Sequence, residues 1–310
     1  NAHYAISDTR YGKATAYWGM HTFALLVPTS EYYGEHPEYF SLRDGHRTDN
    51  AQLCLSNAAM RKVLVTNLKK VVVRLCDIEC CMAHPLDACE RNRSFTDDME
   101  QWRRKTSNIY VWDYTTSFMN YLLPFPNFDV LSSNIRCLAR NNVVGVMEEG
   151  AHNTGWNEFS ELKQWMLAKL LWNPYQNSDS LADMFIADYY GKAAPRVRQY
   201  YDLCRGRVSA DVHFTIQLDW NAPLYNDRFI ADGITLLQDA QRQVAGDAEH
   251  SRRVNRLFAQ LLYLRLRRSP APSLMDGTLD TFKDIISADD ALIGENNYKL
   301  GDMLRDMHYY

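Results

Sequence analysis

The amino-acid sequence predicts an α/β fold of the (β/α)8 TIM-barrel type over residues 1–178, followed by a mostly α-helical region over 179–310. Three observations carry that expectation. Apolar strand-like runs alternate with amphipathic helical runs between about residues 71 and 174. That alternation is the signature of a parallel sheet covered on both faces. Each of the three runs ends in carboxylates, and the C-terminal strand ends of a barrel form its active face. From residue 179 the period-two pattern gives way to helical periodicity with many charges.

Taken in order, "HTFALLVP" (21–28) reads as a short strand ended by proline, and residues 31–47 read as a loop punctuated by Gly34, Pro37 and "RDG". Residues 56–70 form an amphipathic helix with Ser56 or Asn57 as N-cap. The strand "VVVRLCDIEC" (71–80) follows with no turn, although helix-to-strand connections take about 2–6 residues. The expectation is that residues are missing at Lys70–Val71. Helix 95–106, strand 108–114, helix 128–142, strand 143–149 and helix 158–174 complete the alternation, the last stopped by Pro174. A doubly wound sheet is the other arrangement this pattern allows, but no G-x-G-x-x-G or P-loop follows any strand. The helical region has a break at "YYGKAAP", further helices over 227–268 and 277–308, and a loop at 267–277.

Composition narrows the function classes. The 310 residues carry a net charge of −4 with acids and bases interspersed, so no basic footprint for nucleic acid exists. No run of 18 apolar residues occurs, so no transmembrane helix is expected. The sequence begins with Asn and shows no signal peptide, which reads as the start of a processed or longer chain. Cys76, Cys80, Cys81 and Cys89 cluster, but C-x3-C-C-x7-C is not a usual zinc spacing, and buried thiols or one local disulfide are the expectation. No metal and no cofactor are assigned. No H-E-x-x-H, H-x-H or G-x-S-x-G pattern supports a zinc hydrolase or a serine nucleophile.

The strand-end acids are therefore the candidate site. "VVVRLCDIE" ends in Asp77 and Glu79, "IYVWDY" in Asp113, and "VVGVMEE" in Glu148 and Glu149. Alternation along a strand puts Val73, Leu75, Asp77 and Glu79 on one side, and Ile109, Val111 and Asp113 together. It places Val144, Val146 and Glu148 on the side opposite Glu149. Carboxylates grouped near Trp112, Tyr114 and Trp156 suit glycoside hydrolysis, in which one acid protonates the leaving oxygen and a second is nucleophile or activates water. An acid ring also suits a divalent cation, and strand-end acids can simply cap helices.

Several phrases point further. "HTFALLVPTSEYYGEHPEYFSLRDGHR", "LCDIEC", "IYVWDYTTSFMNYLLPFPNFDVLSSNI", "NNVVGVMEEGA", "LAKLLWNP" and "FIADYYGKAAPRVRQYY" together resemble domain-of-unknown-function family 4838 over roughly residues 17–240. The resemblance implies a glycoside-hydrolase-like TIM barrel from a polysaccharide-degrading bacterium, located in the periplasm, at the cell surface or outside the cell. It also implies a stretch between Lys70 and Val71, with a Ser…Asn-Asp-Asn motif and further strands, that this sequence lacks. On the matching positions Glu148 and Asp113 are the expected acid/base pair, with Asp77 and Glu149 as further catalytic candidates. Trp112, Tyr114 and Trp156 are expected to stack on sugar, with His21 and Glu79 as hydrogen-bonding partners. Arg47 and Arg74 are candidate clamps for an acidic sugar's carboxylate. The expected partner is an oligo- or polysaccharide. A non-catalytic carbohydrate-binding protein is the alternative, and oligomeric state is not readable.

Overall fold

The computed structural model describes residues 23–49, 52–68, 72–151, 157–289 and 304–305. His21, Trp156 and the step from Lys70 to Val71 lie outside the described residues. The chain divides into two compact units, Asn1–Val73 and Arg74–Tyr310.

In the first unit the predicted strand at 21–28 is a helical turn, α1 (Phe23–Leu26), followed by α2 (Thr29–Tyr32) and α3 (Ala58–Leu68). The short apolar run carries no polar alternation, and periodicity alone does not separate a strand from a helical turn over so few residues. Between them β1 (Leu42–Arg43) and β2 (His46–Arg47) form an antiparallel hairpin. The "RDG" turn is where sequence placed it: Asp44 and Gly45 both have positive φ, 51° and 82°. That is the left-handed pair a two-residue hairpin requires. Asn57 caps α3, its Oδ1 accepting from the Met60 amide at 2.9 Å. Leu26, Val27, Tyr39, Phe40, Leu53, Met60 and Leu64 make this unit's own core.

In the second unit the strand–helix alternation holds. β3 (Val73–Cys76), α4 (Arg93–Arg103), β4 (Ile109–Tyr114), α5 (Phe128–Arg140), β5 (Val143–Glu149) and α6 (Ser160–Trp172) follow in order. The sheet order is β3-β4-β5, with β4 and β5 parallel. The barrel does not form. The described residues are 56% helical and 9% strand and hold only a two-stranded and a three-stranded sheet. After α6 the regular elements among the described residues are all helices: α7 (Ser178–Tyr190), α8 (Ala194–Arg205), α9 (Asp227–Gln243), α10 (Ala248–Arg268), α11 (Pro270–Met275) and α12 (Thr278–Ala288).

Their sequences explain why. Asn177, Asn226 and Asp247 cap α7, α9 and α10 by accepting from the amides of Ser180, Phe229 and His250. The apolar residues recur at helical spacing: Phe229, Ile230, Ile234 and Leu237 on α9, and Val254, Leu257, Leu261 and Leu264 on α10 are all buried. These helices bury one another and share a single apolar core with β4, α5 and α6. After α6 the run 212–218 alternates, with Phe214, Ile216 and Leu218 buried, but it forms no strand, so no barrel is continued among the described residues. The expected loop at 267–277 contains α11, entered at Pro270, where proline's fixed φ suits a first helical turn.

Candidate functional site: three strand-end carboxyls

The sheet has two unlike faces. Ile109, Val111 and Asp113 of β4 are buried at 0%, 1% and 5% exposure, so this face turns to the helical core. Asp113 sits opposite Glu148 in the parallel ladder, Val111 opposite Val146. Asp77 follows directly on β3, and its amide donates to the Trp112 carbonyl at 3.3 Å, setting it beside Asp113. Alternation thus sends Asp77, Asp113 and Glu148 to one place. Val144 departs from that alternation. A register shift after Ile109 pairs Tyr110 with Gly145, leaving Val144 as the extra residue and exposed.

Asp113 stands close enough to both acids to shift their proton affinities, and it accepts from the Tyr114 amide through Oδ1 at 2.7 Å. Burial drives the Asp77 carboxyl well above the ordinary carboxylate range, and the charge of Asp113 adds to the effect. Glu148 rises well above its ordinary range for the same reasons in the same order. Burial raises Asp113 too, but Asp77, the Tyr114 amide and Glu148 oppose it. Like charges this close do not ionise together, so the three carboxyls share fewer than three charges. The oxygens of Asp77 and Glu148 meet no hydrogen-bond partner and are closed to solvent.

Glu148 also lines a cleft of about 320 Å³ between the end of β5 and α6. Thr115, Asn157, Ser160 and Gln164 give this cleft hydroxyl and amide groups, while Val146 and Leu167 give it an apolar wall. Lys163 forms its floor. Its Nζ donates to Glu158 Oε2 at 2.7 Å and to the Thr115 and Phe125 carbonyls at 3.0 and 2.9 Å. All three ammonium donors are thus used. The start of α6 is set by Phe159, whose φ of 43° is left-handed for a non-glycine residue. That conformation costs about 1–2 kcal/mol and is held because the ring is fully buried against Phe128, Tyr200 and Tyr201.

The opposite face of the sheet collects the aromatic candidates. Arg74 lies 4.7 Å over the Trp112 ring, Trp112 stacks on Tyr114, and Trp112 Nε1 donates to Glu149 Oε2 at 2.6 Å. Glu149 therefore braces the aromatic face rather than the acid cluster. Trp112, Tyr114 and Arg74 do not share a wall with Glu148. Glu79 falls beyond β3 in an exposed turn, because the strand ends at Cys76 instead of continuing to 80. Arg47 belongs to the first unit, where its guanidinium bonds the Phe40 carbonyl. Sequence reasoning did not single out Lys163, Glu158, Asn157 or Ser160. The helical pattern of 158–174 gave no sign that a lysine on it would be buried.

All seven cysteines are free. Cys80 faces the acids, and burial first and Asp77 second push its thiol up. Cys81 and Cys89 instead meet two histidines, away from the cleft.

No curated protein and no solved structure gives a match to this sequence. A family model described as a domain of unknown function (DUF4838) matches residues 1–70 and 65–202. The two matched segments overlap at residues 65–70, and together they span well over half of the chain. The chain belongs to the DUF4838 family.

Proposed function

We propose that this protein hydrolyses glycosidic bonds in a complex glycan, with Glu148 as its acid. The observation that carries the reading is the clustering of Asp77, Asp113 and Glu148. Burial and the charge of Asp113 raise the Glu148 carboxyl well above the ordinary carboxylate range, which is the direction a general acid requires. The polar lining of the adjacent cleft offers partners for sugar hydroxyls. In the proposed step a bound sugar draws the Glu148 carboxyl away from Asp113 into the cleft. Its proton passes to the glycosidic oxygen as the bond to the anomeric carbon breaks. Water adds to that carbon, and the proton it releases returns to the carboxyl cluster. Asp113 is the positioning carboxylate that holds the proton on Glu148 before substrate arrives.

One observation favours a second reading, a carbohydrate-binding protein without activity. The Glu148 oxygens are closed to solvent in the unliganded protein. A released-sugar screen on plant and host glycans, run beside a binding measurement on the same panel, separates the two. Cleavage by the wild type, with Glu148→Gln and Asp113→Asn each slowed by about 10²–10⁴-fold, supports the hydrolase. Binding without release supports the second reading. Cleavage with both variants at full rate contradicts the assignment of Glu148.

A further inference from the structure

We propose that Cys81, His84, Cys89 and His213 form a structural zinc site. One ligand atom from each lies within 4.8 Å of the other three. Cys81 Sγ is 3.3 Å from His213 Nδ1 and 3.6 Å from His84 Nδ1, and Cys89 Sγ is 3.7 Å from His213 Nδ1. A tetrahedral zinc has Zn–S bonds of about 2.3 Å and Zn–N bonds of about 2.0–2.1 Å. Across its tetrahedral angle, those lengths put sulfur and nitrogen about 3.6 Å apart. Three of the protein's four S···N distances cluster around that value, and the fourth is within 4.8 Å.

The surroundings are those of a metal site. His84 Nε2 faces the Ser209 carbonyl at 3.2 Å, so that nitrogen carries the proton and Nδ1 keeps its lone pair toward the cluster. An outer carbonyl fixing the tautomer of a ligating histidine is the usual support. The fully buried Asn92 holds the loop in shape, accepting from the Cys81 amide at 2.6 Å and donating to the Cys81 and His84 carbonyls. Two thiolates and two neutral imidazoles around Zn²⁺ sum to zero charge, so the closed site carries no net charge into the interior. Four protein ligands leave no open position, which marks a structural rather than a catalytic metal.

The site would clamp the loop that follows Asp77 to the segment between α8 and α9, where the Met82 amide already donates to the Phe214 carbonyl at 2.8 Å. It is distinct from the carboxyl cluster in both residues and chemistry, and stands whether or not the protein cleaves glycans.

The test is metal analysis of the full chain purified without chelator, then stripped under reducing conditions and titrated with Co²⁺. About one zinc per chain is expected, and a Co²⁺ spectrum with tetrahedral ligand-field bands and thiolate charge transfer. Cys81→Ser and Cys89→Ser should each lose zinc by at least about tenfold, while Cys54→Ser keeps it. The wild-type Co²⁺ spectrum reads the site even if a cysteine variant does not fold. A protein that takes up neither zinc nor Co²⁺ after reduction overturns the proposal. So does a Cys81–Cys89 disulfide in the purified protein with no metal bound after reduction, or zinc retained at full occupancy in both cysteine variants.

Discussion

Two buried ionisable groupings stand side by side in the second unit and solve the same problem in opposite ways. Lys163 and Glu158, at 2% and 0% side-chain exposure, neutralise each other. Asp77, Asp113 and Glu148 have no cation among them, and burial raises all three carboxyls above the ordinary range so that protons take up part of their charge. A buried pair of opposite charges with every donor satisfied is architecture, because it loses stability when either member goes. A buried set of like charges is held by the fold at a cost and gains when a charge is removed. That asymmetry is the physical reason to place function at the carboxyls and structure at the lysine.

The largest break in the comparison is Lys163→Met. It leaves Glu158 buried without its cation, and it frees the Thr115 and Phe125 carbonyls. A loss of about 3–5 kcal/mol is expected in urea unfolding. Removing both partners together, Lys163→Met with Glu158→Leu, should recover at least about 1 kcal/mol of that, since the stranded charge goes with its partner. Equal losses in the single and double variants would mean that the ammonium's carbonyl bonds matter and the ion pair does not.

Glu148→Gln sharpens the other half. The folded protein keeps a proton on Glu148 that the unfolded chain has released above the ordinary carboxylate range. Stability from that proton is therefore full in acid and falls as pH rises toward the raised folded value. The fall is up to about 1.4 kcal/mol per pH unit for each such group. Glutamine needs no proton, so the variant should show a shallower decline between about pH 5 and 8, measured as the urea midpoint against pH. An unchanged slope would remove Glu148 from the protonated set.

The smallest effect belongs to the aromatic face. Trp112→Phe keeps the ring over which Arg74 sits but removes the 2.6 Å bond to Glu149. About 1–2 kcal/mol of lost stability is expected, because the site is only half-buried. The pH slope carried by Asp77 and Glu148 should be untouched, since Trp112 points away from them.

Much of this arrangement was legible in the residues. Period-two alternation grouped Asp77, Asp113 and Glu148 and turned Glu149 away, and the helical periodicity after 179 was plain. The barrel was an extrapolation from three strand–helix units to eight, and no strand forms after Trp172 among the described residues, not even where 212–218 alternates. Glu79 was misplaced because strand length is set by pairing partners, and β3 runs out of ladder at Cys76. Val144 was misplaced because a bulge leaves no trace in alternation. The cysteine–histidine cluster was illegible for a different reason. His213 lies 124 residues beyond Cys89, so no local spacing connects them. The burial of Lys163 likewise depends on Phe125 and Thr115, which tertiary packing alone brings to it.

The central claim is that Glu148 is a carboxylic acid, not a carboxylate, in the folded protein at neutral pH. The infrared difference spectrum of wild type minus Glu148→Gln, recorded at pH 7, measures it directly. The account predicts loss of a protonated carboxyl C=O band in the variant. Loss of carboxylate stretching bands instead, with the protonated band unchanged, would contradict it.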